Sequence, residues 1–208
     1  MNKKNQQIIN FLEETYPNVG CALNYSKDYE LVIAVMLSAQ TTDKAVNTVT
    51  EVLFSRYDTL EKLANADLED IEKIIMKIGM YKVKAKNVIG IAEKILNDFT
   101  GKLPDDKELL QTLPGVGNKT AGVIRCEIFK IPDLPVDTHI LRIARRLKYR
   151  KETDGPFETE QILKKSYPKE RWIRLHHQLI HFGRDICLAR NPKCEKCKIT
   201  GFCRDFKN

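Results

Sequence analysis

Apolar residues recur along this chain at helical rather than alternating spacing, in nearly every segment between turns. The periodicity predicts helices over 3–14, 28–39, 43–56, 68–78, 82–99, 105–113, 118–129, 138–147, 158–165 and 169–182. No segment keeps the two-residue rhythm of a half-buried strand. There is no low-complexity tract and no repeat strong enough for a solenoid. The expected fold class is therefore all-α. With 208 residues the chain can bury one core or two small ones, and the link at 131–135, marked by Pro132 and Pro135, is the best seam between two domains.

Charge narrows the class of partner. The formal net charge of +7 and a pI near 9.0 point to a polyanion. The basic excess is gathered in two runs, Lys82, Lys84 and Lys86, then Arg142, Arg145, Arg146, Lys148, Arg150 and Lys151. Each run reads either as a nucleic-acid surface or as a solvated helix face. The first residues lack the apolar core of a secretory signal, and no stretch approaches a membrane span. These features predict a cytoplasmic protein without a membrane partner.

Candidate chemistry begins at Leu113-Pro114-Gly115-Val116-Gly117-Asn118-Lys119-Thr120-Ala121. A short helix stopped by Pro114 and Gly115, then a second starting near Asn118, makes a helix-hairpin-helix pattern. Gly115 and Gly117 around Val116 permit backbone conformations closed to other residues and leave no Cβ in the way of a ligand. Backbone N–H groups at the helix start suit a phosphate oxygen, a grip that reads no base sequence. Lys119 is misplaced by helix electrostatics, since a cation in the first turn faces the positive end of the dipole. An ordinary lysine titrates near ~10.4 and is a poor nucleophile at neutral pH. The helix terminus and partial desolvation would favour the neutral amine. Lys119 is either a phosphate contact or a nucleophile.

Asp137, in Val136-Asp137-Thr138-His139, carries a similar ambiguity. Ile140, Ile143, Ala144 and Leu147 follow at helical spacing, so Asp137 or Thr138 is a natural N-cap. A carboxylate there can also accept a proton and stabilise a developing cation. Near the C-terminus, Cys187, Cys194, Cys197 and Cys203 follow the pattern C-x6-C-x2-C-x5-C. Four thiols so close together, without a secretory signal, indicate a metal site rather than disulfides. Ligand chemistry leaves zinc and an iron-sulfur cluster both open.

The chain resembles the endonuclease III family of DNA glycosylases over nearly its whole length. The resemblance is carried by Leu37-Ser38-Ala39-Gln40-Thr41-Thr42-Asp43, Ile78-Gly79-Met80-Tyr81, the hairpin, Val136 to His139 and the four-cysteine loop. It implies a helix-hairpin-helix glycosylase fold with two helical domains flanking a DNA-binding groove. One domain would be a six-helix barrel over 22–130, and the other would join 1–21 to 131–208 around a single 4Fe-4S cluster held by the four cysteines. Lys119 becomes the attacking amine and Asp137 its assisting carboxylate across the groove. Cys21 and Cys126 match no ligand position and read as buried thiols.

The resemblance also implies a substrate and a reaction. The partner would be double-stranded DNA containing damaged pyrimidines or abasic sites, met by a monomer at the nucleoid. Gln40 and Met80 would fill the helix left by an extruded nucleotide, although a helix C-cap and a core methionine are their plainer alternatives, and leucine is usual where Met80 stands. Gly115, Val116, Gly117, His139, Arg190 and Lys193 would contact DNA, with a structural hydrogen bond as the alternative for His139. Asp43 reads as an N-cap helping to hold Gln40. Oxidised or ring-saturated pyrimidines would be excised, and the strand cut by β-elimination through a lysine Schiff base. Two other readings compete. An adenine-type mismatch glycosylase typically lacks the lysine found here at 119, and a non-catalytic hairpin module would use zinc as a staple.

Overall fold

The computed structural model describes residues 1–206. They form helices and turns, with no strand among them. The chain divides into two compact units, 22–129 and a discontinuous one made of 1–21 and 130–208.

The continuous unit holds α2 (Asp28–Leu37), α3 (Asp43–Arg56), α4 (Leu60–Ala64), α5 (Leu68–Ile75), α6 (Tyr81–Phe99), α7 (Lys107–Leu110) and α8 (Asn118–Glu127). Helix α2 is buried from Glu30 to Leu37, as a helix apolar on all sides must be. Its start is held by Glu30, whose Oε2 accepts from the backbone N–H groups of Ser26 at 2.7 Å and Lys27 at 3.1 Å. Helix α6 turns Ala85, Val88, Ile91, Ala92 and Ile95 inward, and α4 and α5 pack on it. It ends where Thr100 and Gly101 take left-handed conformations and the Gly101 N–H reaches back to the Ile95 carbonyl at 2.9 Å. The fully buried core of this unit is aliphatic throughout.

The discontinuous unit holds α1 (Lys3–Thr15), α9 (Thr138–Arg146), α10 (Pro156–Ser166) and α11 (Trp172–Asp185). Helices α1 and α9 both pack on α11. Phe11 of α1 meets Phe182 of α11 edge-on, with centroids 5.5 Å apart, and Glu13 pairs with Arg171 and Arg174. Beyond α11 come short 3-10 turns at Cys194–Lys196 and Thr200–Phe202, anchored by the buried Ile199.

Several boundaries differ from expectation. The helix expected over 105–113 is only the four residues of α7: Asp106 caps its start, accepting from the Glu108 and Leu109 N–H groups at 2.9 Å, and at its end the Thr112 and Leu113 N–H groups turn to carbonyls three residues back, Leu109 at 3.0 Å and Leu110 at 3.2 Å. Helix α5 stops at Ile75 rather than 78, and α2 stops at Leu37 rather than 39. Helix α8 ends at Glu127 rather than 129. Helix α10 starts two residues early, on Pro156, with the Gly155 N–H bound by Glu158. Residues 169–171 are 3-10, and α11 then runs on to Asp185. The apolar periodicity does not predict α4 at all. Asp43 is not a cap: Thr42 holds that position, accepting from the Ala45 N–H at 3.3 Å, and Asp43 opens the first turn. Cys126 is fully buried, but Cys21 is partly exposed. No helix among the described residues is long and apolar enough to cross a membrane.

Candidate active site and cysteine loop

The hairpin grows out of the sequence between α7 and α8. Gly115 sits at φ +74, and a Cβ there would lie 2.6 Å from Asn87 Nδ2 and 3.0 Å from Met36 Cγ. Both the turn and its packing on α2 and α6 therefore require glycine. Val116 is buried and pins the turn, while Gly115 and Gly117 are exposed. Gly117 is the N-cap of α8 and supplies no side-chain acceptor to the helix start. A Cβ at Gly117 would meet nothing within 4 Å. The chain thus brings exposed glycine backbone to a helix N-terminus that no cap side chain covers, and Lys119, half-buried, stands in the first turn.

Two exposed residues of the same unit stand at left-handed turns. Gln40 has φ +56 and Met80 has φ +58, conformations uncommon outside glycine. Gln40 lies beyond Ser38, the C-cap of α2, so the cap reading for Gln40 is corrected. Met80 is the N-cap residue of α6 and 56 % exposed, which overturns the core-methionine alternative.

In the other unit Asp137 is the N-cap of α9, its Oδ1 accepting from the Ile140 N–H at 2.8 Å. The cap is this carboxylate and not Thr138, and it uses one oxygen. His139 packs against Gly183, where a Cβ would lie 2.8 Å from its own Cβ. His139 Nδ1 lies 3.2 Å from Arg142 Nη2.

Neither basic run forms a continuous surface. Lys82 and Lys86 are exposed, but Lys84 is 4 % exposed, and burial lowers its pKa. Arg142 donates to the Gly183 and Cys187 carbonyls at 2.8 and 2.9 Å. Arg146, also buried, donates to Cys187 Sγ at 3.2 Å and to the Leu188 carbonyl at 2.7 Å. Arg145 pairs with Asp205 at 2.5 Å. A signal for these inward cations is present in the sequence. Lys84 is in register with Val88, Ile91 and Ile95 on the apolar stripe of α6, and Arg142 and Arg146 share one stripe with His139 on α9.

The four cysteines of the loop are half-buried and form no disulfide. Burial, then the nearby Cys187, Cys194 and Cys203, push the Cys197 thiol up to about 11. Cys194 is raised by burial and by Cys203 and Cys187. Four cysteines gathered in one short loop are a ligand set for a metal centre, which binds them as thiolates. Among the described residues no three ligating side chains converge on one ion, as zinc with sulfurs about 2.3 Å from the metal requires. A four-iron cluster asks for less convergence, since each thiolate meets its own iron. Arg190 and Lys193, between the first two cysteines, are exposed.

Comparison with known proteins gives the class first. Residues 33–169 match the family described as HhH-GPD superfamily base excision DNA repair protein, and residues 187–203 match the iron-sulfur binding domain of endonuclease III. Fold and hairpin therefore define a base excision repair DNA glycosylase with an iron-sulfur site. Endonuclease III of Bacillus subtilis (strain 168) is 41 % identical over 192 residues, 92 % of this chain and 88 % of the relative. Its counterpart in Escherichia coli (strain K12) is 38 % identical, covering 98 % and 96 %. A solved trapped endonuclease III-DNA covalent intermediate superposes with a TM-score of 0.92 at 40 % identity, covering 98 % of this chain and 97 % of that one. The chain belongs to the endonuclease III family. It is accordingly a DNA glycosylase and abasic-site lyase carrying one 4Fe-4S cluster.

Proposed function

We propose that this enzyme removes oxidised or ring-saturated pyrimidines from double-stranded DNA and cleaves the strand at the resulting abasic site, with Lys119 as nucleophile and Asp137 as assisting carboxylate. The observation that carries the reading is Lys119 in the first turn of α8, behind an N-terminus whose cap, Gly117, has no side chain. Helix stability alone selects neither feature. A relative 40 % identical to this chain is described as a trapped covalent intermediate with DNA, which supports covalent chemistry here.

The reaction follows from the groups. The nucleotide first leaves the stack, at a cost of a few kcal/mol that is smaller for a damaged base. Gln40 and Met80 fill the gap, and their exposure at left-handed turns supports that role. The backbone of Gly115, Val116 and Gly117 grips phosphate, helped by Arg190 and Lys193 on the cysteine loop and by His139 at the start of α9. The neutral Lys119 amine bonds to C1′ as the bond to the base breaks and the base departs with the electron pair. Asp137 stabilises the cationic sugar and takes up the proton shed by the new ammonium. The C1′–O4′ bond then breaks as O4′ takes that proton from Asp137, leaving an iminium at C1′; the iminium acidifies C2′, loss of a C2′ proton expels the 3′ phosphate, and water releases Lys119. Cys187, Cys194, Cys197 and Cys203 would hold the 4Fe-4S cluster, which supplies shape to the loop rather than a reacting atom, all four ligand positions being cysteine. The enzyme would act as a monomer on chromosomal DNA in the cytoplasm.

Borohydride tests this reading. Wild-type protein should be trapped covalently on duplex containing an oxidised pyrimidine, and Lys119→Gln should abolish trapping while preserving cluster absorbance and DNA binding. A wild-type enzyme that excises the base without ever being trapped would sink the Schiff-base mechanism.

A further inference from the structure

Lys84 is a buried ammonium with no part in the chemistry above. Its Nζ donates to the Leu37 carbonyl at 2.9 Å, to the Ala39 carbonyl at 2.7 Å and, at 3.4 Å, to Thr41 Oγ1. Three acceptors match the three hydrogens of a protonated amine. Leu37 is the last residue of α2, and α2 has no basic residue in its own last turn, so Lys84 brings from α6 the cation that this helix end favours. The other two acceptors flank Gln40. The turn they belong to is closed by the Thr41 N–H on the Ser38 carbonyl at 3.0 Å, and it holds Gln40 at φ +56. Such a backbone persists only where its surroundings fix it. At its other end Lys84 is tied to Met80, because its backbone N–H closes the first turn of α6 on the Met80 carbonyl at 3.0 Å.

We propose that Lys84 is a positioning residue for base extrusion, a single strut that fixes Gln40 and Met80 relative to one another so that both enter the duplex together. The inference rests on the gap-filling roles proposed above. A packing role alone would make Lys84 matter equally for every substrate. A strut between the two filling residues matters only when a base must be drawn from a paired stack.

The test compares two substrates, duplex with a paired oxidised pyrimidine and a single-stranded oligonucleotide with a preformed abasic site. Lys84→Met keeps the length of the side chain and removes its donors. It should lower kcat for excision from duplex on the order of ten- to a hundredfold, the cost of misplacing a contacting group by about an ångström. Cleavage of the single-stranded abasic site should stay within about twofold. Lys84→Arg, which keeps charge and donors, should restore part of the loss. Combined with Gln40→Ala, Lys84→Met should add little, because both disable one device. Equal losses on both substrates, or full additivity with Gln40→Ala, would overturn the strut. So would unimpaired Lys84→Met beside an impaired Gln40→Ala. If Gln40→Ala and Met80→Ala both excise normally, the gap-filling reading fails and takes the strut with it. Should Lys84→Met not fold, Thr41→Val removes one long bond and must show a smaller loss confined to the duplex substrate.

Discussion

Gly115 and Gly117 are equivalent in the sequence, two glycines around one apolar residue, and the structure separates them. Gly115 is held by a positive φ and by the close approach of Asn87 and Met36, whereas Gly117 has an ordinary extended backbone and open space around it. Gly115→Ala should therefore cost roughly 1–3 kcal/mol of stability, visible as a lowered melting temperature without DNA. Gly117→Ala should lose less, up to about 1 kcal/mol for the poorer N-cap, yet bind duplex more weakly, because its methyl group would stand where the proposed grip brings a phosphate. Equal melting losses in the two variants would refute this division. The same scale shows why the basic runs conceal the inward roles of Lys84, Arg142 and Arg146. Their acceptors lie far off in sequence, 47 positions from Lys84 to Leu37 and 41 from Arg146 to Cys187. Composition within a run carries no trace of a carbonyl that distant; only helical register does, Lys84 falling on the buried stripe of α6 and Arg142 and Arg146 on one stripe with His139.

Helix starts are the most legible elements, since a cap is a local matter of one side chain and the next few N–H groups. Asp137 at α9 is the useful case, because the cap and the proposed catalytic carboxylate are the same group. Asn caps as well as Asp but carries no charge. Asp137→Asn should leave the melting temperature nearly unchanged while slowing borohydride trapping, and Asp137→Ala should slow trapping and also lose about 1 kcal/mol of stability. If Asp137→Asn traps at the wild-type rate, the residue is a cap and nothing more. Short elements are the illegible ones. Helix α4 is five residues, too few for a period to register, and it is folded by packing on α6 rather than by its own propensity. Helix α7 is shorter than its pattern for a different reason, since the acidic residues expected inside the helix include the one that caps it, and the N–H groups past its end turn to carbonyls three residues back.

At the scale of the whole molecule the two units are built from different cores. The buried cluster of 22–129 is purely aliphatic, while that of 1–21 with 130–208 includes Phe11, Tyr16, Tyr167 and Phe182. The second unit is closed by docking α1 on a distant part of the chain, and tyrosine hydroxyls carry part of that contact. Tyr149 Oη lies 2.6 Å from Asn5 Oδ1 and 2.6 Å from Tyr167 Oη, and Lys4 Nζ stands 4.0 Å over the Tyr149 ring. Burial pushes Tyr149 up to about 12, and Tyr16 is pushed up to about 12 by burial and then by Asp185. Burial, then the charge of Tyr149, raises Tyr167 further still. An unfolded tyrosine ionises near ~10. Below that pH both states are protonated and the stability is fully present. Between about 10 and 12 the unfolded chain sheds protons that the folded chain retains, so stability falls as pH rises. Tyr29 and Tyr57 in the other unit are raised too, so alkaline loss spans the molecule and the share of Tyr149 must be read by difference. Melting temperatures measured from pH 8.5 to 11 should fall less steeply for Tyr149→Phe than for the wild type, although the variant starts lower for want of its hydrogen bonds. Parallel curves would mean that the Tyr149 hydroxyl is ionised as easily in the folded chain as in the unfolded one, and that α1 is held without it.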